Sequence, residues 1–269
     1  GLETSQSRGV LLFSASAATS DLSGKDDLFF RTVASTDAMG AGVGQYVRQR
    51  RELSSIAIIY DEDNDTYSLP MKDAFIGTFT DLGGQITTQV GFPGGEELDY
   101  SDFVEELIAS SPEGIFIIAN PLDTALIAQT VRIKGSTTAL FCTPWCQANS
   151  MLQNGGSAIE GVELIIANDA NVSNPASEAF KIDYQERFAL SPIFIAMQGY
   201  ETMQMLAQAL EKTAGEPEGL PEALKDIKSF QGLSGEIEVD AYGDAVRSLV
   251  IQRVIDGQFV TVESLALSR

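Results

Sequence analysis

The sequence predicts an α/β protein built on a doubly wound, largely parallel sheet. Short apolar runs rich in β-branched residues alternate along the chain with stretches of helical periodicity, which is the order that βαβ units produce. The runs are too apolar for strands with one face in water, so we expect helices to cover both faces of the sheet. These predicted strands are residues 56–60, 85–90, 114–118, 139–142 and 162–167.

An earlier predicted strand, residues 9–13, is expected to be buried and leads into a run of small residues. Residues 14–20 read Ser-Ala-Ser-Ala-Ala-Thr-Ser and contain no bulky side chain. Such a loop lets backbone N–H groups approach a ligand closely, and its hydroxyls add further donors. Because ligands of open α/β sheets bind outside the carboxyl ends of the strands, we interpret this loop as an anion-binding loop. The alternative is an ordinary Ser/Thr-rich loop.

Helices are predicted between the strands of the sheet. One covers residues 68–82, where apolar side chains recur at helical spacing, and it ends at Gly83, a residue type that favours a helix C-terminus. Two further helices are predicted over residues 102–110 and 124–134.

The last third of the chain predicts three helices followed by short strands. Asn174 is the expected N-cap of a helix that has Pro175 in its first turn and ends near residue 188. A hairpin is predicted in which strands 235–239 and 248–254 flank a turn. The remaining predicted elements are helices 195–212 and 220–228 and a strand over residues 258–262.

Charge and the lack of histidine exclude several classes of function. The 269 residues contain 17 Lys and Arg against 38 Asp and Glu, and this net charge of −21 disfavours nucleic acid and anionic membrane surfaces as partners. Without histidine, Ser-His-Asp and Cys-His catalysis are excluded, and the commonest zinc ligand is missing. We therefore predict no catalytic residue, no metal site and no cofactor. No apolar stretch is long enough to span a bilayer, so direct membrane insertion is not expected.

The two cysteines, Cys142 and Cys146, have C-x-x-x-C spacing. This spacing differs from the C-x-x-C of redox sites and zinc motifs. A local disulfide formed in an oxidising compartment and a pair of free buried thiols both remain open.

Two stretches are similar to known motifs but depart from them. Residues 61–65 are like the start of a calcium loop, yet Thr66 and Lys72 stand where that loop needs Gly and Glu. We interpret this stretch as an acidic, solvated loop. Residues 40–44, Gly-Ala-Gly-Val-Gly, do not follow a strand and lack the full nucleotide-binding spacing, so they indicate close helix packing.

Polar or aromatic side chains come soon after several predicted strands. Trp145, the only tryptophan, follows one strand directly, and Tyr67 and Asn120 lie in the loops after two others. The carboxyl ends of parallel strands meet at one edge of a sheet, where small molecules bind, so we predict that these three side chains face a ligand. For Trp145 the alternative is a place in the core.

Several segments together resemble the type I periplasmic binding proteins of the branched-chain and hydrophobic amino-acid transport class. Residues 14–22 are similar to that family's Ser-Pro-Ser-Ala-Thr loop, and residues 29–32, Phe-Phe-Arg-Thr, to the next strand. Residues 56–61 with Tyr67 resemble a strand and its tyrosine-bearing loop. Similar stretches follow in the family's order along nearly the whole chain, at residues 82–84, 102–103, 112–116 and 235–244.

This resemblance implies two doubly wound lobes joined by three crossings, near Val33, Asn168 and Tyr242. In this family further βα units precede the strand at residue 9, so we expect the first lobe to lack them here. The predicted first lobe is residues 1–33 with 169–242, and the second is residues 34–168 with 243–269.

The resemblance also implies which residues hold the ligand. Ser16, Ala18 and Thr19 match a first-lobe loop that binds a carboxylate, although the loop here has one extra small residue and lacks both prolines. Trp145 stands where amino-acid binders place an acid for the ligand ammonium. An indole cannot neutralise an ammonium, so an aromatic or other apolar carboxylate is favoured. The full predicted set is Ser14, Ser16, Ala18, Thr19, Tyr67, Asn120, Trp145 and Phe194.

The expected function is that of a solute-binding protein. It would deliver a small organic ligand, an amino acid or an aromatic or apolar carboxylate, to the membrane permease of an ABC importer by hinge closure. The expected location is periplasmic or extracellular, with a signal peptide outside these residues. The alternative is a ligand-sensing domain of a signalling or regulatory protein with the same fold. An enzyme is disfavoured because nothing supplies an activated nucleophile or a tuned base.

Overall fold

The computed structural model describes residues 1–94 and 98–265, which form two compact units. The first unit contains Gly1–Ser35 and Ala167–Ser248, and the second contains Thr36–Ile166 and Leu249–Leu265. The chain therefore passes between the units after Ser35, Ile166 and Ser248. Residues 34–35, 167–168 and 243–248, assigned from the sequence to the second lobe, fall in the first unit, and residues 266–269 of that predicted lobe lie outside the described residues.

The elements alternate along most of the chain, as the sequence predicts. In chain order the strands of the described ranges are β1 (Leu12–Ser14), β2 (Phe29–Arg31), β3 (Ser55–Asp61), β4 (Gln85–Phe92), β5 (Gly114–Ile118), β6 (Ala139–Cys142), β7 (Glu163–Ile166), β8 (Ser229–Gly232), β9 (Gly235–Val239), β10 (Ala245–Arg247), β11 (Leu249–Ile255) and β12 (Gln258–Leu265). The helices are α1 (Leu2–Arg8), α2 (Thr36–Gln49), α3 (Asp65–Asp81), α4 (Ser101–Ala109), α5 (Pro121–Ile133), α6 (Asn149–Gly155), α7 (Pro175–Phe188), α8 (Phe194–Lys212) and α9 (Leu220–Lys225).

The second unit is built on a seven-stranded sheet of order β12-β11-β7-β6-β5-β3-β4. The pairs from β4 through β7 are parallel, which confirms the parallel sheet, whereas β11 and β12 add two antiparallel strands at one edge. Every residue of β5 is buried. Because successive side chains of a strand point to opposite faces, the sheet is covered on both faces at β5.

The glycines at residues 40–44 bring α2 against α3. A Cβ atom on Gly40 would collide with the carbonyl oxygen of Met71, and one on Gly44 would lie 2.9 Å from the carbonyl oxygen of Phe75. The two helix backbones therefore approach more closely than a side chain allows. This confirms the interpretation of the Gly-Ala-Gly-Val-Gly stretch as a helix contact.

The first unit has two small sheets. Strands β1 and β2 form a parallel pair, and β8, β9 and β10 form an antiparallel sheet. The predicted buried strand at residues 9–13 is wrong: the strand is β1, and Val10 and Leu12 are exposed. Gly9 instead ends α1 in the left-handed conformation, so the chain enters the strand only after that helix.

The predicted hairpin has a different second strand. Strand β9 pairs with β10, whereas β11 pairs with β7 and β12 in the second unit. One predicted strand, residues 248–254, therefore belongs to another sheet, because the chain leaves the first unit at Ser248. The turn between β9 and β10 is held by Asp240, whose Oδ1 accepts hydrogen bonds from the N–H groups of Tyr242 (2.8 Å) and Asp244 (2.9 Å).

Buried polar side chains of helix α8 form hydrogen bonds with residues close to the three points where the chain passes between the units, which we call the chain passages. Glu201 Oε2 accepts hydrogen bonds from Arg247 Nη1 at 2.8 Å and Asn168 Nδ2 at 3.1 Å. The hydroxyls of Thr202 and Thr32 share a hydrogen bond of 2.6 Å. Thr32, Asn168 and Arg247 each lie within a few residues of one passage, so a single helix anchors the first-unit ends of all three.

Candidate ligand-binding site

The small-residue loop of the first unit, residues 14–19, is folded by hydrogen bonds of its own. Ser14 ends β1, and its Oγ accepts hydrogen bonds from the N–H groups of Ser16 (3.2 Å) and Ala17 (3.0 Å). Thr19 caps the short 3-10 helix Ser20–Leu22, because its Oγ1 accepts a hydrogen bond from Asp21 N at 3.3 Å. Two of the predicted ligand hydroxyls are therefore acceptors within the loop itself.

Other polar groups of the small-residue loop remain open. Within the described part of the first unit, the N–H groups of Ala18 and Thr19 and the hydroxyl of Ser16 form no hydrogen bond. Ser16 is exposed, and Ala18 and Thr19 are half-buried. These three groups are thus donors that an anion can use. Phe194, also half-buried, is the first residue of α8 in the same unit.

In the second unit, Tyr67 and Trp145 come together. Tyr67 lies in the first turn of α3 after β3, and Trp145 lies in the short 3-10 helix Pro144–Cys146 after β6. Their ring centroids are 5.4 Å apart with planes at 69°, an edge-to-face contact. Both side chains are half-buried. The interpretation of Tyr67 as a loop residue is wrong, because α3 begins at Asp65, earlier than its apolar pattern indicates.

A disulfide closes the turn that carries Trp145. Cys142, the last residue of β6, is bonded to Cys146, and both are fully buried. Of the two alternatives that the sequence leaves open, the structure therefore has the disulfide. The bridge limits the conformations of the three residues between the cysteines, and Trp145 is one of them.

Four buried polar atoms, one on Tyr67 and three on residues close to Tyr67 or Trp145 in the sequence, lack a hydrogen-bond partner among the described residues. They are Tyr67 Oη, Ser68 Oγ, Thr143 Oγ1 and Gln147 Oε1. Buried polar groups nearly always have partners, so such a concentration is typical of a site where a ligand or water completes the bonds. Ser68, Thr143 and Gln147 are not among the predicted ligand residues, and their only signal in the sequence is that they adjoin Tyr67 and the two cysteines. We call these four residues together with Trp145 the aromatic wall.

Burial determines the protonation state of the Tyr67 phenol. Burial raises the pKa of the Tyr67 phenol to about 12, and the Thr143 side chain and the Trp145 backbone only partly oppose this. Neither of them reaches Tyr67 Oη with hydrogen-bond geometry. No charged side chain of the described residues contributes to this shift. Tyr67 is therefore a neutral hydrogen-bond donor at physiological pH.

Asn120 lies at the same edge of the sheet but has a structural task. It is the N-cap of α5: its Oδ1 accepts hydrogen bonds from the N–H groups of Leu122 and Asp123, both at 3.0 Å. Its Nδ2 donates to Asp123 Oδ2 at 2.7 Å. Burial, and then the nearby charge of Asp61, raise the pKa of Asp123. Because the cap already engages both polar atoms of the Asn120 side chain, the fold accounts for this residue without a ligand, and its role in binding stays a prediction.

The acidic stretch at residues 61–65 runs from Asp61, the buried last residue of β3, to Asp65, the first residue of α3, with the turn at residues 62–64. Asp61 Oδ1 accepts hydrogen bonds from the N–H groups of Asp63 (2.8 Å) and Asn64 (3.3 Å). Across residues 1–94 and 98–265, His, Cys, Asp and Glu side chains form no group of three or more that could hold a metal ion. In the same ranges no helix has the length and apolar character that crossing a membrane requires.

The two units have the fold of the type I periplasmic binding proteins. The chain belongs to the periplasmic binding protein family, whose sequence model matches residues 2–258. It is 24% identical over 217 residues to the Leu/Ile/Val-binding protein homolog 1 of Brucella abortus, which covers 80% of this chain. The chain spans 57% of the length of that relative.

Solved structures agree on the fold. The leucine-binding protein LivK of Thermotoga maritima superposes with a TM-score of 0.89 at 24% identity, covering 98% of this chain and 75% of its own. A solute-binding protein of an ABC transporter from R. palustris, solved in complex with benzoate, superposes with a TM-score of 0.84 at 14% identity, covering 98% of this chain and 73% of its own.

Proposed function

We propose that the chain is the solute-binding part of an ABC importer and that it binds a small organic carboxylate without altering it. The ligand would be held by the small-residue loop and the aromatic wall, then delivered to a membrane permease in the periplasm or outside the cell. Binding without turnover is supported by the chain's lack of histidine, the side chain that enzymes use most often as a general acid or base.

The observation that carries this proposal is the set of buried, unpartnered polar atoms beside an open aromatic pair. Leaving a buried hydroxyl or amide without a partner costs about 1–3 kcal/mol each. Four such atoms on segments that follow parallel strands are explained if a ligand supplies their partners. The open N–H groups at Ala18 and Thr19 supply the donors that a carboxylate needs.

We further propose that the ligand is an aromatic or apolar carboxylate rather than an α-amino acid. The aromatic wall offers ring faces and edges together with neutral hydroxyls, and none of its five residues is an acid that could neutralise an ammonium. The relatives include proteins named for both classes, since one is named a leucine-binding protein and another was solved with benzoate.

Hinge closure is part of the proposal. The three chain passages, and the anchoring of their first-unit ends by α8, support a pivot at these points. The predicted lobe boundaries and the eight predicted ligand residues stay proposals of the same kind.

Calorimetry of the natural full-length protein against leucine, isoleucine, benzoate and 3,4-dihydroxybenzoate tests this function. We expect saturable binding of at least one carboxylate, with the aromatic acids tighter than the aliphatic amino acids. Tighter binding of leucine would overturn the ligand class and keep the function. No binding in a wider panel of organic solutes would overturn the function.

A further inference from the structure

Arg31 is a fully buried arginine directed at the small-residue loop. It is the last residue of β2, and its side chain is 0% exposed. Nη1 donates hydrogen bonds to the carbonyl oxygens of Thr19 (2.9 Å) and Ala17 (3.4 Å), and Nη2 donates to Ser23 Oγ. One guanidinium thus holds two carbonyls of the loop and the segment that follows it.

The opposite side of the guanidinium is held by the β9–β10 turn. Arg31 Nε lies 2.8 Å from Asp244 Oδ1, and Asp244 Oδ2 accepts a hydrogen bond from Gly24 N at 2.8 Å. The backbone N–H of Arg31 also donates to the carbonyl of Gly243 at 3.1 Å. A buried arginine needs such a partner, because an unpaired buried charge is strongly destabilising.

The hydrogen bond from Arg31 to the Ala17 carbonyl fixes the direction of the Ala18 N–H group. In a trans peptide the C=O of one residue and the N–H of the next point in opposite directions. Since the Ala17 carbonyl faces the guanidinium, the Ala18 N–H faces away from it. Ala18 N–H is one of the loop donors without a partner in the described part of the first unit.

We propose that Arg31 is a positioning residue for ligand binding: held by Asp244, it presets the small-residue loop so that Ala18 N–H meets the carboxylate of the ligand. This inference rests on the proposed function. Arg31 itself contacts the carbonyl oxygens of the loop and is not required to touch the ligand. Preset donors bind an anion more tightly because no loop ordering is needed on binding.

Arg31→Lys in the natural full-length protein tests the inference, because a lysine cannot span both carbonyls and Asp244 at once. The readout is the ratio of affinities for benzoate and for benzamide, its neutral amide, by calorimetric competition. We expect R31K to lower the affinity for benzoate about tenfold and the affinity for benzamide about twofold or less. The reason is that benzoate, but not benzamide, accepts charge-assisted hydrogen bonds from the loop N–H groups. A general loss of structure would weaken both ligands alike.

Arg132→Lys is the matched control. Arg132 also uses Nη1 to hold two loop carbonyls, Ser136 O (3.0 Å) and Thr138 O (2.9 Å), but that loop precedes β6 and belongs to neither the small-residue loop nor the aromatic wall. R132K is expected to change the ratio by less than about twofold. If R31K does not fold, two other variants test the same role: Asp244→Asn removes the charge that pairs with Arg31, and Ser23→Ala removes a hydroxyl partner of Arg31. Each is expected to lower the ratio about threefold.

Two negative results are distinguishable. Wild-type protein that binds benzoate while every folded variant keeps the wild-type ratio overturns the role of Arg31 and leaves the proposed function intact. Wild-type protein that binds neither benzoate nor any other carboxylate overturns the proposed function, and this inference with it.

Discussion

The small-residue loop and the aromatic wall differ in where their polar groups find partners. In the loop, Ser14 and Thr19 accept hydrogen bonds from neighbouring N–H groups, and Arg31 holds the carbonyls. In the aromatic wall, four buried polar atoms have no partner in the described ranges. The loop therefore holds its shape through its own hydrogen bonds and leaves donors open, whereas the wall leaves buried side-chain oxygens without a partner in the described ranges.

This difference separates two physical tasks. A loop of small residues has little packing of its own, so internal hydrogen bonds must fix it before it can present N–H groups to an anion. The wall is fixed by other means, namely a buried disulfide and the start of a helix, and its hydroxyls are free to discriminate among ligands. Substitutions in the two regions should consequently affect stability and affinity in different proportions.

Trp145→Ala is expected to give the largest change in affinity. Removing the indole takes away the ring that contacts Tyr67 and, in the proposed function, much of the apolar surface offered to an aromatic ligand. We expect benzoate affinity to fall by about 1–3 kcal/mol, measured by calorimetry. Phe103→Ala, on α4, is the control and should leave the affinity unchanged. An unchanged dissociation constant for W145A would remove this residue from the site.

Ser14→Ala should affect stability and affinity together. Its Oγ is the acceptor for two N–H groups of the loop, so we expect the free energy of unfolding to fall by about 1 kcal/mol, measured by urea denaturation. Affinity should fall too, because the loop is no longer preset. Ser16→Ala is the matched control for stability alone, since Ser16 is exposed and its hydroxyl has no partner within the described part of the unit. A stability loss in S16A equal to that in S14A would contradict the comparison.

Tyr67→Phe should lower affinity without lowering stability. The phenol oxygen is buried and unpartnered in the described ranges, so its removal costs the folded protein nothing and should raise the free energy of unfolding slightly. Ligand affinity should fall by about 0.5–1.5 kcal/mol, measured by calorimetry.

Tyr46→Phe is the control for Tyr67→Phe in the same unit. Tyr46 Oη donates a hydrogen bond of 3.0 Å to the buried Glu163 Oε2, so Y46F should lose about 1 kcal/mol of stability and keep its affinity. If Y67F and Y46F behave alike in both measurements, the wall has no special role.

Affinity should be nearly independent of pH between about 6 and 9. The chain has no histidine, and burial raises the pKa of Tyr67 to about 12, so neither a histidine nor this phenol titrates in that window. The raised pKa also makes a stability prediction. The free energy of unfolding keeps its full value below the unfolded pKa of 10.0 and falls as the pH rises through about 12, because the phenol ionises more readily in the unfolded chain. Y67F should lack this fall. Calorimetry and urea titrations across pH measure the two effects.

Elements with strong local signals could be predicted from the sequence. Strands β5 and β6 have the predicted bounds, and Asn174 caps α7, accepting hydrogen bonds from the N–H groups of Ala176 (3.1 Å) and Ser177 (3.0 Å). A continuous apolar run or a capping residue acts within a few residues of itself, so no distant partner has to be known.

Pairings between distant segments could not be predicted in the same way. The predicted partner of β9 was wrong because strands β10 and β11 follow each other directly and share β-strand character, while only tertiary structure assigns them to different sheets. The involvement of Thr143 and Gln147 was missed because being buried without a partner is a property of the folded protein and leaves no pattern in the chain.

By itself the sequence determined the α/β class, the helix-packing glycines, the small-residue loop and the family resemblance, because each depends on residue types at short, fixed spacing. Only the tertiary structure decided that Cys142 and Cys146 are bonded, that Tyr67 contacts Trp145, and that Arg31 stands behind the loop. These facts depend on which segments meet in space. Such meetings result from the packing of the whole sheet and its helices, which no single stretch of residues encodes.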